Sequence, residues 1–116
     1  MTSVRFWCSA ERFIGFKANG HTGYAPAGQD IVCAAVSTLV QTTVLGLHEL
    51  VGLQLQIEQE PKIGLYSCLI APTDDEVKLE QAHLILNLMY LGLQQIAQEY
   101  RKFVKISLKE VQNDEV

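Results

Sequence analysis

Residues 20–37 read Gly20-His21-Thr22-Gly23-Tyr24-Ala25-Pro26-Ala27-Gly28-Gln29-Asp30-Ile31-Val32-Cys33-Ala34-Ala35-Val36-Ser37, and the chain changes character within them. Gly20, Gly23, Pro26 and Gly28 oppose any regular element, so Asn19–Gln29 is expected to be a loop, mobile and with few apolar anchors. From Asp30 the spacing turns helical. Val32, Val36, Leu39, Thr43, Leu47 and Leu50 fall on one side of a helix that reaches about Val51. Its opening, IVCAAVSTLV, is apolar almost all round, which predicts a buried N-terminal half. Gly46 weakens that helix by about 1 kcal/mol relative to alanine and marks a close contact or the approach to the end.

Outward from this stretch the period is two. On the N-terminal side residues 2–8 and 12–18 read as strands joined by Ser9-Ala10-Glu11. Val4, Phe6 and Cys8 lie on one face of the first, and Ile14, Phe16 and Ala18 on one face of the second. Trp7 and Phe13 then share the less apolar face, as a surface pair in preference to part of a groove. On the C-terminal side Leu53, Leu55 and Ile57 alternate with Gln54, Gln56 and Glu58, and after a turn at Glu60-Pro61-Lys62 the run Ile63–Ile70 is the hairpin partner. Thr73-Asp74-Asp75-Glu76 has the pattern of a capping box for a helix to about Tyr100. Its core stripe is Ala82, Ile85, Leu86, Met89, Leu93 and Ile96. A second stripe, Val77, Leu84, Leu88 and Leu91, is read as a contact with the first helix or a surface for self-association. Phe103–Lys109 closes the pattern as a strand with Val104, Ile106 and Leu108 inward, and Glu110–Val116 is expected to fray. The order ββαββαβ predicts one α/β domain of the α+β type: a mostly antiparallel sheet with both helices packed on one face.

Composition narrows the class. A chain of 116 residues fits one domain with a real core. With 9 Lys+Arg against 13 Asp+Glu and no long run of like charge, direct nucleic-acid binding is not expected. Cys8, Cys33 and Cys68 are an odd number without paired spacing, which argues against a disulfide framework or a metal site and for a reducing compartment. Cys68 reads as a small buried hydrophobe. The start has no signal-peptide pattern, and no uninterrupted apolar run reaches bilayer-spanning length.

The chemistry concentrates where the loop meets the helix. With Asp30 as N-cap, its carboxylate accepts the N–H of Val32 or Cys33, and Cys33 falls at the third helical position. The helix's partial positive charge favours the thiolate, the form that attacks. His21 would take the thiol proton and later give it to a leaving amine. The charge of Asp30 opposes the thiolate, so its benefit lies in capping, in orienting His21, or in both. His48 is about 22 Å from Cys33 along the same helix at 1.5 Å per residue, and His83 reads as an ordinary surface or half-buried histidine, so only His21 is well tethered. A capped helix with a buried cysteine and a loop histidine also occurs in proteins without catalysis, and residue types alone leave both readings open. Phosphate binding at the same turn is a weaker reading. The Lys-Ser/Thr ending of a P-loop is missing and Asp30 would repel an anion.

The run Gly20-His21, Gly23-Tyr24-Ala25, Gly28 and Asp30–Ser37 closely resembles the signature of the ribosomal-processing cysteine protease family, Prp. The likeness extends over the chain in length and element order, including Leu91-Gly92-Leu93 followed by Ile96-Ala97-Gln98-Glu99-Tyr100. Thr22 departs from the alanine expected there, which bears on substrate fit more than on activity. The resemblance implies an enzyme of the bacterial cytoplasm that removes a short N-terminal extension from large-subunit ribosomal protein number twenty-seven; no cofactor and no membrane partner is expected. It makes Cys33 and His21 the catalytic pair and Asp30 and Ser37 supporting residues, with Gly20, Gly23, Tyr24 and Gly28 in the substrate loop. Cleavage after two aromatic residues, and a homodimer, are further implications. Ser37, one turn beyond Cys33, could hydrogen-bond the thiolate. The expected oxyanion donors are backbone N–H groups of the helix start and loop that Asp30 leaves free, with His21 brought to Cys33 as substrate orders the loop. The competing class is a non-catalytic assembly module that grips a ribosomal protein tail.

Overall fold

Alternation in the first nineteen residues produces a hairpin of β1 (Thr2–Ser9) and β2 (Arg12–Asn19), and the glycine-rich segment then carries the chain to α1 (Ile31–Leu45). The structure, a computed structural model, describes residues 1–112. A π-helical turn (Gly46–Leu50), β3 (Leu55–Glu60), a 3-10 turn (Pro61–Ile63), β4 (Leu65–Ile70), α2 (Glu76–Glu99) and β5 (Val104–Glu110) complete the order. The sheet order is β3-β4-β2-β1-β5, antiparallel throughout except that β5 runs parallel to β1. Val4, Phe6, Phe16, Ala18 and Cys68 on the sheet meet Val32, Val36 and Val40 of α1 and Ala82, Leu86, Met89 and Leu93 of α2 in one core. Their neighbours Ser3, Arg5, Lys17 and Asn19 are exposed on the other face, so both helices cover the same side, as the alternation requires. Phe6 and Phe16 are fully buried, each holding on the order of 1.5–3 kcal/mol of transfer free energy.

The expected surface pair of Trp7 and Phe13 does not form. The register shifts between Trp7 (opposite Gly15) and Cys8 (opposite Phe13), a bulge that leaves Ile14 without a partner. That extra residue turns Phe13 inward, where it is buried against Phe6, with ring centroids 5.2 Å apart. Its N–H donates to His83 Nδ1 at 3.0 Å, which gives His83 a structural role.

The N-terminal half of α1 is one-sided. Val32, Val36 and Val40 are buried, whereas Ile31, Ala34 and Ala35 face solvent because the second layer covers a single side. Gly46 faces Ile85 and Gly92 lies against Leu39, so missing side chains let the two helices approach. The wider turn closed by Val51 N–H to the Gly46 carbonyl (3.1 Å) breaks the 3.6-residue period, which exposes Leu50 and buries Val51. Ile31–Leu50 is long and apolar enough to cross a bilayer by length and composition, although Ser37, Thr38, Gln41 and Glu49 interrupt it and no uninterrupted apolar run reaches that length. Its inward residues are part of the core just described.

Other departures are at element ends. β3 is shifted by two residues, beginning at Leu55 rather than Leu53 and ending at Glu60 rather than Glu58, and Ile57 and Leu108 are exposed. Ile63 belongs to the 3-10 turn, so β4 begins at Leu65. Asp75, not Thr73, caps α2 by accepting the Lys78 N–H at 3.1 Å, while Thr73 Oγ1 accepts the Asp75 N–H. Glu110 is still in β5, and buried Val111 donates its N–H to the Cys8 carbonyl at 2.8 Å, so the tail is tied there. The expected fraying of residues 113–116 lies outside the described residues. The second stripe of α2 makes no cover for α1: Val77, Leu84, Leu88 and Leu91 are all exposed.

Candidate active site

Asp30 organises the site. Its backbone is extended (φ −86°, ψ 97°), and Oδ1 accepts the Cys33 N–H at 2.8 Å, the short-range cap that the three-residue spacing predicted. Oδ2 accepts the hydroxyl of Thr22 and the N–H groups of Tyr24 (3.0 Å) and Ala25 (3.4 Å). One carboxylate therefore fastens the glycine-rich loop to the first turn of α1. Desolvation pushes this carboxyl up, but the hydrogen bonds from Thr22, Cys33, Ala25 and Tyr24 together outweigh it and hold the group below its ordinary value. Asp30 makes no bond to His21, so of the two roles left open for it, the structure contains the cap.

His21 is held from elsewhere. Its Nε2 lies 3.1 Å from the Lys62 carbonyl in the turn between β3 and β4. A carbonyl only accepts, so Nε2 donates there, and in a neutral ring the lone pair is on Nδ1. Gly20 (φ +92°) packs against the Met1 carbonyl, and its own carbonyl accepts the Thr2 hydroxyl at 2.8 Å. Gly64 (φ +66°) presses on the Gly20–His21 peptide, where a Cβ would come within 2.7 Å of the Gly20 carbonyl carbon. Tyr24 sets its ring edge-on against Tyr100 and Phe103, with centroids 5.6 and 5.3 Å away. The loop thus has more anchors than its composition suggested, and they cluster in its first half.

Cys33 is half-buried, with Sγ 3.9 Å from Ser37 Oγ one turn on. His21 and Cys33 do not hydrogen-bond each other, yet both line two adjoining clefts. One, about 260 Å³, has Val36, Val40, Leu65 and Tyr66 in its wall, together with Ser37. The other, about 530 Å³, lies along Gly23, Ala25, Gly28 and Asp30. Between them the two clefts are lined by Gly20, His21, Gly23, Gly28, Asp30, Cys33 and Ser37, whereas Tyr24 lines neither and packs instead on Tyr100 and Phe103. Thr22, noted only as a departure, is a buried hydroxyl that donates to Asp30. The Lys62 carbonyl and Gly64 had no signal in the sequence, because their roles exist only once β3 and β4 fold back against residue 20.

The Cys33, Tyr24 and Ala25 N–H groups are committed to Asp30 and are not free to hold an oxyanion. The other cysteines differ from Cys33 in setting. Burial pushes the Cys68 thiol up to about 12, and burial followed by the nearby Glu110 charge raises Cys8. Among the described residues no three His, Cys, Asp or Glu side chains converge to hold a metal ion.

Comparison with known proteins gives the family and the fold. Residues 1–105 match the family model described as cysteine protease Prp. The ribosomal processing cysteine protease Prp of Bacillus subtilis is 24% identical over 94 residues, covering 81% of this chain and 84% of the relative. That of Staphylococcus aureus strain Mu50 is 28% identical over 91 residues, covering 78% and 82%. A crystal structure of the S. aureus ribosomal processing protease Prp, with a covalently linked product peptide, superposes with a TM-score of 0.83 at 25% identity, over 94% of this chain and all of that one.

Proposed function

The chain belongs to the Prp family of cysteine proteases, and on that basis we propose that it is an endopeptidase whose nucleophile is Cys33 and whose acid–base group is His21. The observation that carries the assignment is the shared opening: the only histidine at the glycine-rich loop and the cysteine in the first turn of α1 line the same two clefts.

The reaction follows from the groups present. His21 takes the proton from the Cys33 thiol, and the sulfur attacks the scissile carbonyl carbon, placing negative charge on the carbonyl oxygen. His21 then gives the proton to the departing amine, and the C–N bond breaks to leave a thioester on Cys33. Water, giving its proton to His21, attacks the thioester; the C–S bond breaks and the thiol is restored as the acid product leaves. In the resting state the Lys62 carbonyl holds the ring through Nε2 and leaves the lone pair on Nδ1. Because Asp30 occupies the N–H of Cys33 itself, the oxyanion donors come from parts of the loop outside its reach, where Gly23, Ala27 and Gly28 line the cleft. His21 reaches Cys33 when substrate closes the loop, since the apo hydrogen bond runs to Lys62.

The proposed substrate is the N-terminal extension of large-subunit ribosomal protein number twenty-seven, processed in the bacterial cytoplasm. The B. subtilis and S. aureus relatives carry the ribosomal processing name, and the apolar wall of Val36, Val40, Leu65 and Tyr66 suits the aromatic residues before the cut. The exposed stripe Val77, Leu84, Leu88 and Leu91 is the proposed homodimer contact. Cleavage of a peptide spanning the extension junction tests the assignment: Cys33→Ser and His21→Ala should each abolish it while retaining the wild-type circular dichroism. Normal turnover by either variant rejects the pair, and binding of the peptide without cleavage by the wild type favours a non-catalytic module.

A further inference from the structure

The sheet face opposite the helices is uncovered and forms a broad concavity of about 740 Å³. Trp7 is one of the residues lining it. Its cross-strand partner is Gly15, and a Cβ at Gly15 would sit 3.2 Å from Trp7 Cε3, so the missing side chain lets the indole lie down over the strand. Around it the register brings together cations from three strands. Arg5 is opposite Lys17 on β2, Lys109 is opposite Trp7 on β5, and Lys105 is opposite Ser3. All four are exposed, and among the described residues none is in an ion pair. Glu58 is the one acidic residue lining the concavity. The net charge of −4 therefore conceals a strong asymmetry: four of the 9 basic residues share this face, and the acids are elsewhere on the chain or at its edge.

From this juxtaposition we propose that the open sheet face binds single-stranded RNA, with a base stacked on Trp7 and phosphates along the Arg5, Lys17, Lys105 and Lys109 rows. Residues two apart on a strand are about 6.6 Å apart and neighbouring strands about 4.8 Å, which suits a flexible backbone tracking across the sheet. A flat aromatic ring amid cations fits a polyanion that carries bases better than an acidic peptide, which has nothing to stack. The hydroxyl and amide side chains of Ser3, Asn19, Ser67 and Ser107 on the same face can bond the 2′-hydroxyls that distinguish RNA from DNA. The surface is on the far side of the sheet from Cys33, so RNA and a peptide in the cleft can be held together.

Fluorescence anisotropy with a labelled 12-nucleotide single-stranded RNA of mixed sequence tests this. Binding should be measurable at 50 mM salt and weaken roughly 20- to 50-fold by 200 mM, as expected for three or four phosphate contacts. The Lys17→Glu, Lys109→Glu double variant should lose at least about tenfold in affinity while keeping peptide cleavage. Trp7→Ala should lose about tenfold and Trp7→Phe much less. If Trp7→Ala fails to fold, the charge-reversal variant decides. Absence of binding at 50 mM salt, unchanged affinity in the double variant, or equal binding of a poly-glutamate peptide or of DNA of the same sequence would each overturn the proposal. So would a change in sedimentation of the double variant, which would make the face a self-association surface.

Discussion

Gly64→Ala should damage catalysis from a residue that carries no chemistry. The residue has φ +66°, and a Cβ would fall 2.7 Å from the Gly20 carbonyl carbon, 2.8 Å from its oxygen and 3.1 Å from the His21 nitrogen. All three atoms are backbone, so relief requires the peptide carrying His21 to shift by roughly 0.7 Å to reach ordinary van der Waals separation. The left-handed conformation costs a non-glycine residue about 1–2 kcal/mol, lowering Tm by roughly 5–10 °C in a domain of this size. Misplacement of a catalytic group by about an ångström costs up to ~100-fold, so kcat/KM on the junction peptide should fall roughly 10- to 100-fold. Gly52→Ala is the control. It has φ +79° but its nearest contact is the Lys78 Nζ at 3.5 Å, far from the cleft, so it should lose similar stability and keep kcat/KM. Wild-type kcat/KM in Gly64→Ala, or an equal loss in Gly52→Ala, would refute the claim that the β3–β4 turn positions His21.

Asp30→Ala should cost about 1–2 kcal/mol in urea unfolding, whereas Asp30→Asn keeps an acceptor for the cap and costs less. Because the folded Asp30 carboxyl is held below its unfolded value near 3.8, its contribution is complete above that pH and lost as the pH falls through the folded value. Asp30→Asn should therefore blunt the acid sensitivity of the fold below about pH 3.8; an unchanged acid-unfolding curve would show that the hub is immaterial. Iodoacetamide at neutral pH, followed by peptide mapping, should modify Cys33 before Cys8 and leave Cys68 unmodified in the native protein, since Cys68 is buried and pushed up to about 12. Equal rates at the three sites would remove the reason to prefer Cys33. Leu84→Glu with Leu88→Glu should convert a dimer to a monomer in sedimentation without loss of helicity, and a wild-type monomer would reject the α2 contact.

What the sequence disclosed and what it hid divide by the range of the interaction. The strands, the two helices and the Asp30–Cys33 cap rest on neighbours one to four residues apart, and period two or 3.6 in the apolar residues is enough to read them. The bulge at Ile14 is a property of two strands together, so alternation along β2 alone put Phe13 on the wrong face. Leu50, Ile57 and Leu108 fit their patterns but are exposed, Leu50 in a π turn, and the pattern holds no information about where cover ends. The site shows the same division. Cys33, Ser37 and Asp30 share one helix start and were legible, while the bond from His21 to Lys62 spans 41 residues and the Gly64 contact 44. The loop's tether was hidden for a related reason. Thr22 is small and polar, and only its burial beneath Asp30 makes it structural.

The most direct test of the central claim is a crystal structure of the Cys33→Ala variant with an uncleaved junction peptide. The scissile carbonyl should lie over the first turn of α1, beside residue 33, with the His21 ring swung from the Lys62 carbonyl to within about 3–4 Å of where the sulfur would be. A peptide bound away from that opening, or an imidazole still on Lys62 with the scissile bond out of its reach, would contradict the account.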